Sequence, residues 1–233
     1  MTTPATSSAN TPDSGGQPLS IDLYWSFRSP YSYLVTPRLI ALEQDWNARV
    51  NVKVVSPIAV RQPDFFANAD PLWTSYLMRD CHRSAEFLGM PFRWPRPDPV
   101  VMDFATRTYP KEQPHIHRLC RLGQLAAERG HGLALLSAVS TLLWNGQTDN
   151  WHEGDHLANA LATIGCDLAE MDAAIAAEEA RIDAALRQNE AEQRDGGHYG
   201  VPLMVIDGEP FFGQDRFDQL LWRMQQKGLQ PRG

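Results

Sequence analysis

Apolar and polar residues alternate from Ile21 onward. Ile21, Leu23, Trp25 and Phe27 fall on one side and Asp22, Tyr24 and Ser26 on the other, the period of two that a half-buried strand produces. After Arg28-Ser29-Pro30 the period changes. Leu34, Val35, Leu39, Ile40 and Leu42 recur at helical spacing, which predicts a helix from Tyr31 to about Trp46. "ARVNVKVVSP" alternates again and predicts a second strand, closed by Pro57. Strand, helix and strand over about forty residues make a βαβ unit, with a right-handed crossover as the default.

The middle of the chain reads differently. From about Val60 to Gln193 the pattern is helical, interrupted by "GMPFRWPRPDP" (Gly89 to Pro99) and "NGQTDNW" (Asn145 to Trp151). "LAEMDAAIAAEEARIDAALRQNEAEQR" is built from strong helix formers, with its charges as a solvated face. Strand character returns in "PLMVI", followed by the hairpin signal Asp207-Gly208 and by "EPFF". "DRFDQLLWRMQQ" predicts a closing helix with Asp215 as its N-cap. The expected fold class is therefore α/β, one domain built from both chain ends with an inserted all-helical domain. Its expected parts are residues 20–59 plus 194–229 for the first domain and 60–193 for the insertion. Residues 1–19, rich in Thr, Ser, Pro and Gly, are expected to form a disordered tail.

Composition narrows the partners. A net charge of −7 and a pI near 5.5 offer no basic face for nucleic acid or anionic lipid. No apolar run approaches the ~20 residues of a membrane-spanning helix. The first nineteen residues lack the basic start and apolar core of a secretory signal. Cys81, Cys120 and Cys166 are odd in number and far apart, which argues for a reducing compartment and against a disulfide framework. The cytoplasm is the expected location, and the three thiols are expected to be buried or half-buried without a special role.

Candidate chemistry begins at Ser29-Pro30. A hydroxyl residue followed by proline where strand passes into helix is an N-cap signature, and the same hydroxyl also stands at a helix start that favours anions. The dipeptide alone leaves both readings open. "YGVPLMVI" supplies a second feature, because Pro202 stands at the first residue of an otherwise good strand, a position where proline is tolerated. A βαβ unit with a capped helix, followed late in the chain by X-Pro-strand, hairpin and helix, is the element order of a thioredoxin-like fold. In that fold the helix start and the proline face one another.

"FRSPYSYL" together with "GVPLMVIDGEPFFGQDRFDQLLWR" resembles the glutathione-dependent 2-hydroxychromene-2-carboxylate isomerases and the similar kappa-class glutathione transferases, within the disulfide-oxidoreductase (DsbA-like) superfamily. "EFLGMPFRWP" resembles a further segment of that family, and the likeness spans about Ile21 to Met224. Where redox members carry C-x-x-C, this chain has Ser29-Pro30-Tyr31-Ser32, which excludes thiol–disulfide exchange at this position. The resemblance implies glutathione as cofactor, with Ser29 as the catalytic hydrogen-bond donor to its thiolate. By the same resemblance the backbone of Val201 before Pro202 pairs with the cysteinyl peptide group, and Gln214 and Asp215 hold the γ-glutamyl end. In the isomerases the thiolate adds reversibly to a conjugated, aromatic-derived substrate. In the kappa transferases the adduct is the product. A small-molecule substrate and a homodimer are likewise implied. The family often has Lys three residues before a Tyr in the helical segment, whereas here Trp73 precedes Tyr76.

Two other constellations compete. "HEGDH", His152 to His156, fits the H-E-x-x-H zinc pattern, which needs both histidines one turn apart on a helix and a third ligand such as Glu178 or Glu179. Gly154 and Asp155 are poor helix-interior residues, so a loop entering a helix is the expected structure. "PHIHRLC" offers His115, His117 and Cys120 without a fourth ligand nearby, and no metal is expected. Trp94, Trp144 and Trp151 are expected in the core or at a domain interface, with a cleft wall as the alternative for Trp94. A non-catalytic thioredoxin-like binding module is the alternative to the enzyme.

Overall fold

A computed structural model describes residues 17–103 and 108–232 of the chain. The four strands among the described residues come from the two chain ends: β1 (Leu19–Trp25), β2 (Ala48–Val54), β3 (Leu203–Ile206) and β4 (Glu209–Phe212). They form one mixed sheet in the order β2-β1-β3-β4. β1 and β2 run parallel with Leu19 opposite Ala48 and Trp25 opposite Val54, joined by α1 (Pro30–Asp45). β3 lies antiparallel to both β1 and β4. This is the thioredoxin-like α/β arrangement that the element order predicts. The hairpin turn is at Asp207 (φ 49°) and Gly208 (φ 79°), the left-handed pair that a two-residue turn between twisted strands requires.

The helices between β2 and β3 are the short α2 (Ile58–Arg61) and α3 (Phe65–Asn68), then α4 (Pro71–Phe87) and α5 (Ile116–Glu128). They continue with α6 (Gly132–Trp144), α7 (His156–Ala162) and α8 (Leu168–Asp195), which breaks helical geometry at Glu178. These helices share one continuous core with the sheet, in which Leu23, Trp25 and Phe27 meet Leu122, Leu136 and Trp144. α8 is tied to the end of β2 by Asn189, whose buried amide donates to Val54 O at 2.9 Å and to Gln124 Oε1 at 2.8 Å. The strands all lie in the end segments, and the hydrophobic packing crosses the boundaries at residues 59 and 194. None of the described helices is long and apolar enough to cross a membrane.

α5 approaches the sheet closely at Gly123. A Cβ there would come 2.9 Å from the Phe27 ring and 3.0 Å from Val54, both fully buried. Gly123→Val should therefore lower unfolding free energy by about 1–3 kcal/mol through overpacking, measurable as a shifted urea midpoint at unchanged slope.

Two boundaries differ from the sequence expectation. The expected tail runs through residue 19, but Leu19 already pairs in β1, and residues 1–16 lie outside the described residues. Asp215 is not the N-cap of the closing helix. Gly213, with φ 102°, turns the chain into a 3-10 turn (Gln214–Arg216), and α9 (Phe217–Gln226) begins after it with Arg216 at the cap position. Asp215 sits inside that turn, paired with Arg216 at 2.9 Å.

Candidate functional site

The junction of β1 and α1 is held from several sides. Trp144 Nε1 on α6 donates to Phe27 O at 3.0 Å, and Trp25 Nε1 donates to Ser32 O at 3.0 Å. Ser29 is the N-cap of α1, with extended backbone (φ −97°, ψ 115°) and a side chain that accepts from Ser32 N at 3.2 Å. Pro30 occupies the first helical position and has no N–H to satisfy. Tyr33 N bonds Ser29 O, so among the first-turn amides Tyr31 N–H is the one without a partner among the described residues.

The other half of the site faces this helix start. The Val201–Pro202 peptide is cis, and Ser29 Oγ donates to Val201 O at 3.3 Å across 172 positions of sequence. Gly213 N donates to Pro202 O at 2.9 Å, which ties the proline to the 3-10 turn holding Gln214 and Asp215. Arg38 on α1 donates to Gln214 O at 2.8 Å and to its side-chain oxygen. Ser29 and Val201 thus meet on the wall of a cavity of 1780 Å³ lined with Phe65, Phe66, Trp94 and Tyr109. Gln214 and Asp215 are not on that wall. They stand beyond Pro202, joined to the site through backbone.

Three features escape a reading of the sequence. Arg28 forms a two-pronged ion pair with Asp98, with Nε and Nη2 at 2.9 and 3.0 Å from its two oxygens, and lies over the Phe66 and Tyr109 rings. Arg61 also lines the cavity, but it donates to Ser56 O, Gln193 Oε1 and Tyr199 O, and among the described residues no carboxylate pairs with it. Burial lowers its pKa, partly offset by Glu190. Its charge is therefore met at contact by neutral carbonyl oxygens, with the Glu190 carboxylate acting on it from farther away. The fully buried Gln193 passes this contact on, because its amide nitrogen donates to Gly200 O at 2.7 Å, next to Val201. "RQPDFF" and "AEQRD" carry no local sign of such partners, which lie more than a hundred residues apart.

The competing metal motifs do not assemble. His152 to Asp155 form turns and only His156 is helical, so the two histidines of "HEGDH" are not one helical turn apart. Cys120 is buried in α5, while the His115 ring contacts Trp151 and His152 at 5.5 and 4.6 Å. Among the described residues no three His, Cys, Asp or Glu side chains are placed to hold a metal ion. Cys81 and Cys120 are buried and Cys166 is half-buried, all free, and burial pushes the Cys81 thiol up to about 12.

Two histidines set a pH dependence of stability. Burial lowers the pKa of His115, with repulsion from His152 adding to it, and burial alone lowers that of His198. The unfolded chain therefore binds more protons than the native one below the ordinary histidine pKa of about 6.5. Stability present above that pH is lost as the pH falls toward the depressed values. Urea unfolding should give a smaller free energy at pH 5.5 than at 7.5, and the double change His115→Gln, His198→Gln should flatten the difference. Asp80, Asp183 and Glu192, whose pKa values are lowered by their hydrogen bonds, act in a more acidic window.

A family model described as a DSBA-like thioredoxin domain matches residues 20–225. A search of curated proteins finds no match. Among solved structures, a 2-hydroxychromene-2-carboxylate isomerase is similar at 20% identity with a TM-score of 0.63, covering 89% of this chain and 95% of its own. A probable DsbA oxidoreductase from Streptomyces coelicolor is 20% identical with a TM-score of 0.60, covering 88% of both chains. The cytosolic disulfide reductase DsbM from Pseudomonas aeruginosa with GSH is 17% identical, with a TM-score of 0.54, 90% of this chain and 100% of its own covered. At these identities the likeness is one of fold.

Proposed function

The chain belongs to the DSBA-like thioredoxin domain family, and from that premise we propose a glutathione-dependent isomerase of the 2-hydroxychromene-2-carboxylate type. The observation that carries the reading is the Ser29 hydroxyl, set at the N-terminus of α1 and 3.3 Å from Val201 O on the wall of an aromatic-lined cavity. A family fold with a serine in place of the dithiol keeps the anion-binding helix start and loses the disulfide chemistry. Fold similarity to an isomerase of that type, and to a reductase whose structure holds GSH, supports the same choice.

The chemistry follows from charge. A free thiol with a pKa near 8.5 is only a few per cent ionised at neutral pH. The α1 dipole contributes roughly 0.3–1 kcal/mol toward the thiolate, up to ~2 when partly buried. A hydrogen bond from Ser29 adds roughly 1.5–3 kcal/mol. At about 1.4 kcal/mol per pKa unit, the two lower the thiol pKa by about one to three units. The Ser29 hydroxyl turns from Val201 O to the sulfur, and the Tyr31 N–H stands beside it. Val201 backbone then pairs with the cysteinyl peptide group, while Asp215 and Gln214 hold the γ-glutamyl ammonium and carboxylate. Glutathione held there would supply a thiolate for reversible addition to a conjugated carbon of the substrate, so that the former double bond could rotate before elimination. Kappa-type conjugation would use the same sulfur contact and release the adduct.

Titration calorimetry with glutathione up to millimolar concentration is the first test, expected to give saturable heat. Absence of heat and of competition would leave a non-catalytic binding module as the better description.

A further inference from the structure

His198 lines the same cavity, three residues before Val201. Its ring lies flat against Phe212, with 3.8 Å between centres and 20° between planes, and Tyr199 stacks 4.8 Å away. Nδ1 accepts the Gly200 N–H at 2.9 Å. An imidazole nitrogen accepts only when it carries no proton, so in the neutral ring the proton is on Nε2. Nε2 has no hydrogen-bond partner among the described residues and is not buried away from solvent. Gly200 is required for this placement, because a Cβ there would come 2.4 Å from Phe212 and 3.1 Å from the imidazole Cε1. The ring is therefore oriented, its tautomer is set by a backbone amide, and a single N–H is left for whatever enters the cavity.

The geometry points to His198 as a further catalytic residue, whose Nε2–H donates to the carbonyl oxygen of the conjugated substrate and holds the charge that arrives there. The inference rests on the glutathione reading above. When the glutathione sulfur bonds to the β-carbon of an enone, the C=C electron pair moves and leaves negative charge on the carbonyl oxygen. His198 stabilises that enolate by hydrogen bonding and transfers no proton. The α–β bond is then single and rotates. Collapse of the enolate re-forms C=C and expels the thiolate, so no other reactant is consumed. A donor oriented before the reaction stabilises developing charge without reorganising, which is where such groups have their largest effect. Burial lowers the His198 pKa and so keeps the ring neutral near pH 7, a donor at Nε2 that does not compete for the thiol proton.

The test uses the full chain, glutathione, and cis-4-phenyl-3-buten-2-one as probe, following conversion to the trans isomer by absorbance. His198→Asn keeps an acceptor for the Gly200 N–H and removes the far donor. Its kcat should fall about 100-fold, with the glutathione Kd within twofold of the parent. His198→Gln, whose amide reaches toward the position of Nε2, should recover at least tenfold of that loss. His198→Phe, which keeps the stack on Phe212, replaces the Asn variant if the latter does not fold. A kcat within threefold of the parent in the Asn or Phe variant overturns the inference, as does a loss matched by an equal loss of glutathione affinity, which marks a structural role. If the parent protein neither binds glutathione nor needs it for turnover, the reading beneath the inference falls, and the inference with it.

Discussion

Ser29→Ala is expected to raise the pKa of bound glutathione by about one to two units, the equivalent of a lost hydrogen bond of roughly 1.5–3 kcal/mol to a charged group. Turnover at pH 7 should drop about 10- to 100-fold for the same reason and recover in part at higher pH, where the thiolate forms without help. The α1 dipole remains in the variant, so the sulfur site is weakened and not abolished. Ser29 is also the N-cap, accepting from Ser32 N at 3.2 Å, and its loss costs about 1 kcal/mol of stability. Ser29→Thr restores both cap and hydroxyl and should recover most of the activity. Thiolate absorbance titrated against pH separates the two roles, since a purely structural serine would move the melting temperature and leave the thiol pKa where it is.

Trp144→Ala is the change with the largest expected effect on the fold. The side chain is fully buried, stacks on Phe92 with ring centres 5.6 Å apart and meets Trp94 at 5.1 Å. Truncating a buried aromatic costs about 3–5 kcal/mol. It also leaves Phe27 O without the indole N–H, worth about 1–3 kcal/mol if no water replaces it. Against a typical total of about 5–15 kcal/mol, the variant should be largely unfolded at modest urea concentrations. Trp144→Phe keeps most of the packing and loses the hydrogen bond. Because Phe27 directly precedes Arg28 and Ser29, this milder variant should fold yet bind glutathione more weakly, seen by calorimetry beside a denaturation curve.

What the sequence makes legible is what local chemistry decides. Alternation over Ile21–Trp25 marks β1, Asp207-Gly208 marks the hairpin, and Ser29-Pro30 marks the capped start of α1; each signal lies within a few residues of the element it specifies. Asp215 misleads because the N-cap rule assumes that the chain passes directly into a helix, and the φ of 102° at Gly213 inserts a 3-10 turn first. The rest of the site is illegible for a different reason. Arg28 finds Asp98, Arg61 finds Gln193, Arg38 finds Gln214 and Trp144 finds Phe27, pairs 70 to 176 residues apart whose meeting depends on how helices pack on the sheet. No periodicity reports such a meeting. His198 belongs with them, since only the folded chain lays its ring on Phe212 and gives its Nδ1 to Gly200.

The proposed function rests on one physical claim, that the mouth of α1 opposite Val201 stabilises a sulfur anion brought by a tripeptide. The most direct measurement is a crystal structure of the protein soaked with glutathione. With glutathione bound as proposed, electron density for the sulfur lies within hydrogen-bonding distance of Ser29 Oγ and the cysteinyl peptide pairs with the Val201 backbone. Density for the sulfur elsewhere in the cavity, or an empty α1 mouth at saturating glutathione, would contradict it.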